Sequence, residues 1–208
     1  MNSQNVLLKK YIIIYILIIN LVKLGFGGTI FMIIIKNKRC SIAKINKEYP
    51  DAIIIDVTSK ASDEFLKLSP FYPVGGIPVP GKEGITSMSV EGIWQGLKMF
   101  KNEGTDYTCF RNKTMKGLKR TCRTHGECIG HSYKGEVLGY IEARKLIYVP
   151  TYKWVLENKC ADIVKKIKVM SQSRTVVLLD YDTNENIEDA SKPLSHASLI
   201  KKYILNEI

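Results

Sequence analysis

Residues 69–100 read SPFYPVGGIPVPGKEGITSMSVEGIWQGLKMF, and the stretch divides into a loop half and a helix half. Ser69 to Gly84 holds Pro70, Pro73, Pro78 and Pro80 together with Gly75, Gly76 and Gly81. Proline fixes φ and lacks an N–H, and glycine opens left-handed φ, so this half is expected to be a shaped loop. Ser89 is a good N-cap, with Glu91 in the first turn, where the helix dipole favours a carboxylate. Val90, Ile93, Trp94, Leu97 and Phe100 recur at helical spacing and make a buried stripe. Glu91, Gln95 and Lys98 fall at i, i+4 and i+7, on a separate face. Gly92 and Gly96 form a third strip between them. In a short helix these two glycines cost about 2 kcal/mol against alanine, so a neighbour is expected to pack close there. A polar trio on a helix entered from a rigid loop suits a binding pocket, and the same spacing also describes a solvated face.

Outward from this stretch, the chain alternates short helices with two strongly apolar strands. On the N-terminal side, Ile42 to Tyr49 reads as a short helix, Asp51 to Val57 (DAIIIDV) as a buried strand, and Ser62 to Leu68 as a helical turn. On the C-terminal side, Lys101 to Cys109 is a polar connection. Met115 to His125 is strongly basic; as a helix it would place Lys116, Lys119, Arg120 and Arg123 on one face, a single-sign stripe suited to phosphate. Gly139 to Val149 reads as a helix ended by Pro150, and Thr151 to Val169 as a second helix. Arg174 to Tyr181 (RTVVLLDY) is the other buried strand. Asp180, Asp182, Glu185, Glu188 and Asp189 follow it in an acidic loop, at the place where α/β proteins put functional loops. Leu194 to Ile208 reads as a C-terminal helix.

The chain has 208 residues, 25% of them charged, with a formal charge of +11. Residues 1–40 carry six of those positive charges and no acid, leaving +5 for the rest. Such an excess favours phosphate-bearing partners: nucleotides, nucleic acid or an anionic membrane surface. Tyr11 to Val22 and Thr29 to Ile35 are apolar, separated by Lys23 and Gly25-Phe-Gly-Gly28. Residues 1–31 therefore read as an upstream extension, a membrane anchor over 11–35, or a signal peptide without a clear cleavage site. In the first case MIIIKNKR opens a single domain over 32–208 as its first strand. If the segment is an anchor, Lys36-Asn-Lys-Arg39 places that domain in the cytoplasm.

The five cysteines are odd in number and include no C-x-x-C pair, which points to reduced thiols and a cytoplasmic protein. Cys122, His125 and Cys128 lie three apart without an evident fourth ligand, so no metal is expected. No Walker loop and no nucleophile motif accompanies the glycines or histidines.

SPFYP followed by SVEGIWQGLKMF resembles the core signature of the NADAR (YbiA-like) superfamily, with matches at Ser69, Phe71, Tyr72, Pro73, Glu91, Gln95 and Lys98. Pro70 replaces the usual Asn and Gly92 the usual His. The terminal Asp-x-x-Trp-Gly element is replaced by Pro193-Leu-Ser-His196. Asp51 to Ile208 more closely resembles a family of uncharacterised bacterial and viral proteins, with the hallmarks SPFYPVGGIPVP, SVEGIWQGLK, GYIEARKLIYVPTYKWVLENK and KPLSHASLIK. The resemblance implies an α+β fold, a small mixed sheet wrapped by helices. It also implies hydrolysis of an N-ribosyl bond in a nucleotide or an ADP-ribosylated base, without a cofactor. Glu91 is then the catalytic carboxylate beside the ribose, held ionised by a facing lysine, and Lys98 assists. Ser69, Phe71, Tyr72, Gly75, Gly76, Trp94, Gln95, Lys119 and Arg120 are the candidate substrate-binding residues. The alternative is a basic nucleic-acid-binding accessory protein of a virus or mobile element, without catalysis.

Overall fold

A computed structural model describes residues 31–208. The extension and signal-peptide readings concern residues outside this range, as does most of the anchor reading; the last residues of that 11–35 segment, Ile33 to Ile35, lie instead in the first strand of the domain, as the reading of MIIIKNKR expects. The described residues form a mixed α+β fold. In chain order, β1 (Ile33–Asn37), α1 (Ile42–Glu48) and β2 (Ile53–Asp56) come first. The Ser69 loop leads through β3 (Ile77–Pro78) and β4 (Thr86–Ser87) to α2 (Val90–Leu97) and β5 (Lys98–Phe100). A 3₁₀ turn over Tyr107–Arg111, α3 (Cys122–His125), β6 (Cys128–Tyr133) and β7 (Glu136–Leu138) follow. The last part holds α4 (Tyr140–Ala143), a π-helical turn (Arg144–Tyr148), α5 (Val149–Asn158), α6 (Ala161–Ser173), β8 (Val176–Asp180) and α7 (His196–Ile204). Among the described residues no helix is long and apolar enough to cross a membrane.

The two apolar strands foreseen in the sequence lie side by side. β8 is central in a parallel sheet of order β1-β8-β2, pairing Ile34 with Val177 on one side and Ile54 with Val177 on the other. Every residue of β8 is buried, as expected of a strand covered on both faces. Its side chains alternate: Val176 and Leu178 enter the main core, and Val177 and Leu179 meet Ile45 of α1 on the other face. The sheet is wholly parallel. The antiparallel pairings form two separate units, β3-β4 and β5-β6-β7, in place of one mixed sheet.

Three helical expectations are corrected. Residues 115–121 are irregular and only Cys122–His125 is helical, so the basic stripe has no common helical face. Pro150 does not end a helix: it stands in the first turn of α5, and the helical run continues through it. The adjustment falls on the preceding π turn, where Val149 N donates to Arg144 O in an i→i+5 bond. The Pro150 ring and its missing N–H would clash with regular α-helical bonding to the previous turn. The helix expected over 151–169 is two helices, α5 and α6, broken at Lys159 and Cys160.

Candidate active site

α2 begins where the sequence placed it. Ser89 Oγ accepts from Gly92 N at 2.9 Å, the expected N-cap bond. Glu91 N donates to Pro70 O at 2.8 Å, which ties the Ser69 loop to the first turn of the helix. The helix is buried nearly all round, its polar side included, with Glu91 8% and Gln95 5% exposed. The two glycines explain how. A Cβ on Gly92 would lie 2.7 Å from Cys109 O, and one on Gly96 would lie 2.4 Å from Phe110 Cε1. The 3₁₀ turn therefore packs directly on the helix backbone. α2 ends at Leu97, so Lys98 belongs to β5 and Phe100 is buried in the same strand.

The polar side of α2 faces a cleft of about 390 Å³. The Ser69 loop contributes Ser69, Pro70 and Phe71; α2 and β5 contribute Glu91, Trp94, Gln95 and Lys98. Thr58 and Ser59 after β2, and Asp180 and Asp182 at the end of β8, place the cleft at the carboxyl end of the parallel sheet. Lys119 and Arg120 also line it. Tyr72, Gly75 and Gly76 do not, contrary to expectation. The positive φ of Gly75 (74°) and Gly76 (67°) turns the chain away towards β3, with Gly75 N bonded to Met88 O.

At the floor, Glu91 Oε1 accepts from Gln95 Nε2 at 2.8 Å, and Gln95 Oε1 accepts from Arg120 N at 3.0 Å. Glu91 Oε2 has no hydrogen bond among the described residues. Burial pushes the Glu91 carboxyl above the usual range; the Gln95 bond and the positive Lys119, Lys98 and His196 oppose this without reversing it. The structure corrects the expectation of a directly paired lysine. Lys98 Nζ donates to Arg120 O at 3.1 Å, and no ion pair joins it to Glu91 among the described residues.

The Arg120 guanidinium is engaged by the protein's own groups, with Glu103 Oε2 at 3.8 Å. Arg120 is 5% exposed, and its guanidinium donates to the carbonyls of Gln95 (3.1 Å), Lys98 (2.7 Å) and Gly104 (3.0 Å). Its work is to satisfy the carbonyls where α2 passes into β5. Lys116, Lys119 and Arg123 are exposed, with Lys119 Nζ 5.8 Å above the Phe71 ring at the cleft. The thiols and imidazole considered for a metal lie apart in role: His125 Nδ1 bonds Glu103 at 2.7 Å, Cys122 lines the cleft and Cys128 stands in β6.

Two groups went unassigned in the sequence. The first is a buried ion pair. His196 Nδ1 lies 3.0 Å from Asp180 Oδ2, and its Nε2 lies 2.8 Å from Val57 O. Both partners are acceptors, so both ring nitrogens donate and the ring is an imidazolium. Burial would lower the His196 pKa, but Asp180 and the Val57 carbonyl raise it overall. Burial would raise Asp180, yet His196, Ser195 and the Ala197 N–H bring it below its ordinary value. Asp182 beside it is raised by burial and by the Asp180 charge. The acidic loop after β8 signalled Asp180 and Asp182; nothing local signalled that His196 would meet them.

The second group is Tyr140, Arg144 and Tyr148, which also line the cleft. Their spacing of four was the available signal. Arg144 is 1% exposed and holds the 187–192 segment through the carbonyls of Ile187 (3.0 Å), Asp189 (2.7 Å) and Lys192. Trp94 stands against these tyrosines, and His131 lies against it with ring centres 3.9 Å apart and planes tilted by 35°. Burial and the Lys98 charge push His131 down to about 3, so this ring is neutral.

No curated protein matches the chain. Residues 37–200 match the model of a family described as of unknown function, and the chain therefore belongs to that family, DUF6939.

Proposed function

We propose that the protein hydrolyses an N-ribosyl bond in a nucleotide or an ADP-ribosylated base. The observation that carries this reading is Glu91, a buried carboxyl with one oxygen fixed by Gln95 and the other unbonded, on the floor of a cleft. Cleavage passes through an oxocarbenium-like state, which a carboxylate beside the ribose stabilises in a water-poor site. The C1′–N bond breaks with its electron pair going to the base nitrogen, which takes a proton from solvent. Water adds to C1′ and gives its proton to Asp182, a half-buried carboxylate whose raised pKa suits a base. Lys119, at the mouth, faces the phosphate of the substrate. We further propose a cytoplasmic location, supported by an odd number of cysteines with no C-x-x-C pair.

The second reading, a non-catalytic nucleic-acid-binding protein, draws on the exposed Lys116, Lys119 and Arg123. One experiment separates the two. A panel of ribosylamine nucleotides and ADP-ribosylated bases is incubated with the wild type and with Glu91→Gln. The expected result is turnover that falls by two or more orders of magnitude in the variant, about 3 kcal/mol of transition-state stabilisation, while binding survives. Equal turnover in both proteins defeats the assignment of Glu91. No turnover of any compound, with salt-dependent binding to DNA, favours the second reading.

A further inference from the structure

The π-helical turn does more than accommodate Pro150. In a regular α-helix, two residues eight apart drift by about 80° around the axis. The i→i+5 turn from Arg144 to Tyr148 is wider, so residues four apart stay in line. Tyr140, Arg144 and Tyr148 thereby share one face, and all three line the cleft. Such turns recur at functional sites.

The wall they build is aromatic and fixed. Trp94 lies 5.8 Å from Tyr140 at 67° and 5.5 Å from Tyr148 at 76°. His131 covers one side of the indole at 3.9 Å. Behind Tyr148 the Tyr152 ring runs parallel, 6.4 Å away, and its hydroxyl is held by Leu68 O at 2.5 Å. Arg144 braces Tyr140, with its guanidinium 4.4 Å from the ring centre and 3.2 Å from the hydroxyl. The Tyr148 hydroxyl has no hydrogen bond among the described residues and remains a donor at neutral pH, because burial and the acids nearby raise its pKa well above 10.

We propose that Trp94, Tyr140 and Tyr148 form a subsite for a planar heteroaromatic ring, with the Tyr148 hydroxyl donating to a ring nitrogen or carbonyl. A flat ring stacks on the aromatic walls, as bases do on such platforms. The inference rests on the hydrolase reading for its meaning, since it places the departing base on the α4–α5 side and the ribose beside Glu91.

The test does not need turnover. Trp94 and Trp154 are the two tryptophans of the chain, so Trp154→Phe leaves Trp94 as the reporter. Its fluorescence is titrated with AMP, GMP and ribose 5-phosphate. Saturable quenching by the nucleotides, at least tenfold weaker with ribose 5-phosphate, is expected. Adding Tyr148→Leu or Tyr140→Leu should weaken nucleotide binding about tenfold, with Tyr148→Phe between. Tyr140 is 40% exposed, so its variant tests the subsite even if the Tyr148 change unfolds the protein. Equal affinity for ribose 5-phosphate and the nucleotides overturns the subsite, as does unchanged binding in a folded Tyr140→Leu protein. Nucleotide quenching without cleavage of any N-ribosyl compound leaves the subsite standing and removes the hydrolase.

Discussion

Gly92→Ala should destabilise the protein, against the usual direction for a glycine inside a helix. Alanine gains about 1 kcal/mol over glycine at an open helical position. Here the new Cβ would stand 2.7 Å from Cys109 O, 2.9 Å from Ser87 Oγ and 3.0 Å from Ser89 Oγ. None of the three can yield freely. Cys109 O is backbone in the 3₁₀ turn, Ser89 Oγ caps α2, and Ser87 Oγ donates to Phe110 O at 3.2 Å. Overpacking costs about 1–3 kcal/mol and a weakened cap about 1 kcal/mol. The net loss is then about 1–3 kcal/mol, or a Tm lower by about 2–4 °C per kcal/mol in a chain of this size. Urea denaturation of the two proteins measures it, with the slope unchanged so that the midpoint reports stability. A midpoint equal to or above that of the wild type would refute the close packing of α2 on the 3₁₀ turn. At 92 there is no room for the first carbon of any side chain.

Arg120→Leu should cost about 2–3 kcal/mol, because the buried Gln95 carbonyl and the part-buried Lys98 and Gly104 carbonyls each lose a hydrogen bond, whereas Lys119→Ala should leave the melting temperature nearly unchanged; denaturation curves compare them. The Asp180–His196 pair should stabilise the fold most between about pH 4 and 6.5. Asp180 is lowered, so its contribution is present above the ordinary carboxylate range and is lost as pH falls through the folded value. His196 is raised, so its contribution is present below about pH 6.5 and is lost as pH rises through the folded value. The stability gap between wild type and His196→Gln should therefore narrow on both sides of that window; a gap that is flat from pH 4 to 9 would show an uncharged ring.

The sequence by itself determined the parts whose physics is local. DAIIIDV and RTVVLLDY are apolar and β-branched enough to be strands; β8 is buried throughout, whereas within β2, at the sheet edge, only Ile55 is fully buried. Ser89 fixes the start of α2, because its hydroxyl needs only the next turn of its own helix. The glycine strip announced a close neighbour through its propensity cost, without naming the 3₁₀ turn that fills it. Glu91, Gln95 and the Ser69 loop were legible together, since one rigid turn and one helical face bring them to the same side. The tertiary structure decided what each charge does. Arg120 was read as a surface cation because charge and spacing are all a sequence offers; burial against three carbonyls made it structural. Glu91 was expected to face a lysine, but Lys98 bonds a carbonyl instead, and burial raises the carboxyl's pKa. His196 meets Asp180 only because α7 docks at the end of β8, a contact between segments that no local pattern encodes. The aromatic wall depends on a π turn beside Pro150, where a small change in helical pitch, invisible in residue types, sets which side chains face the cleft.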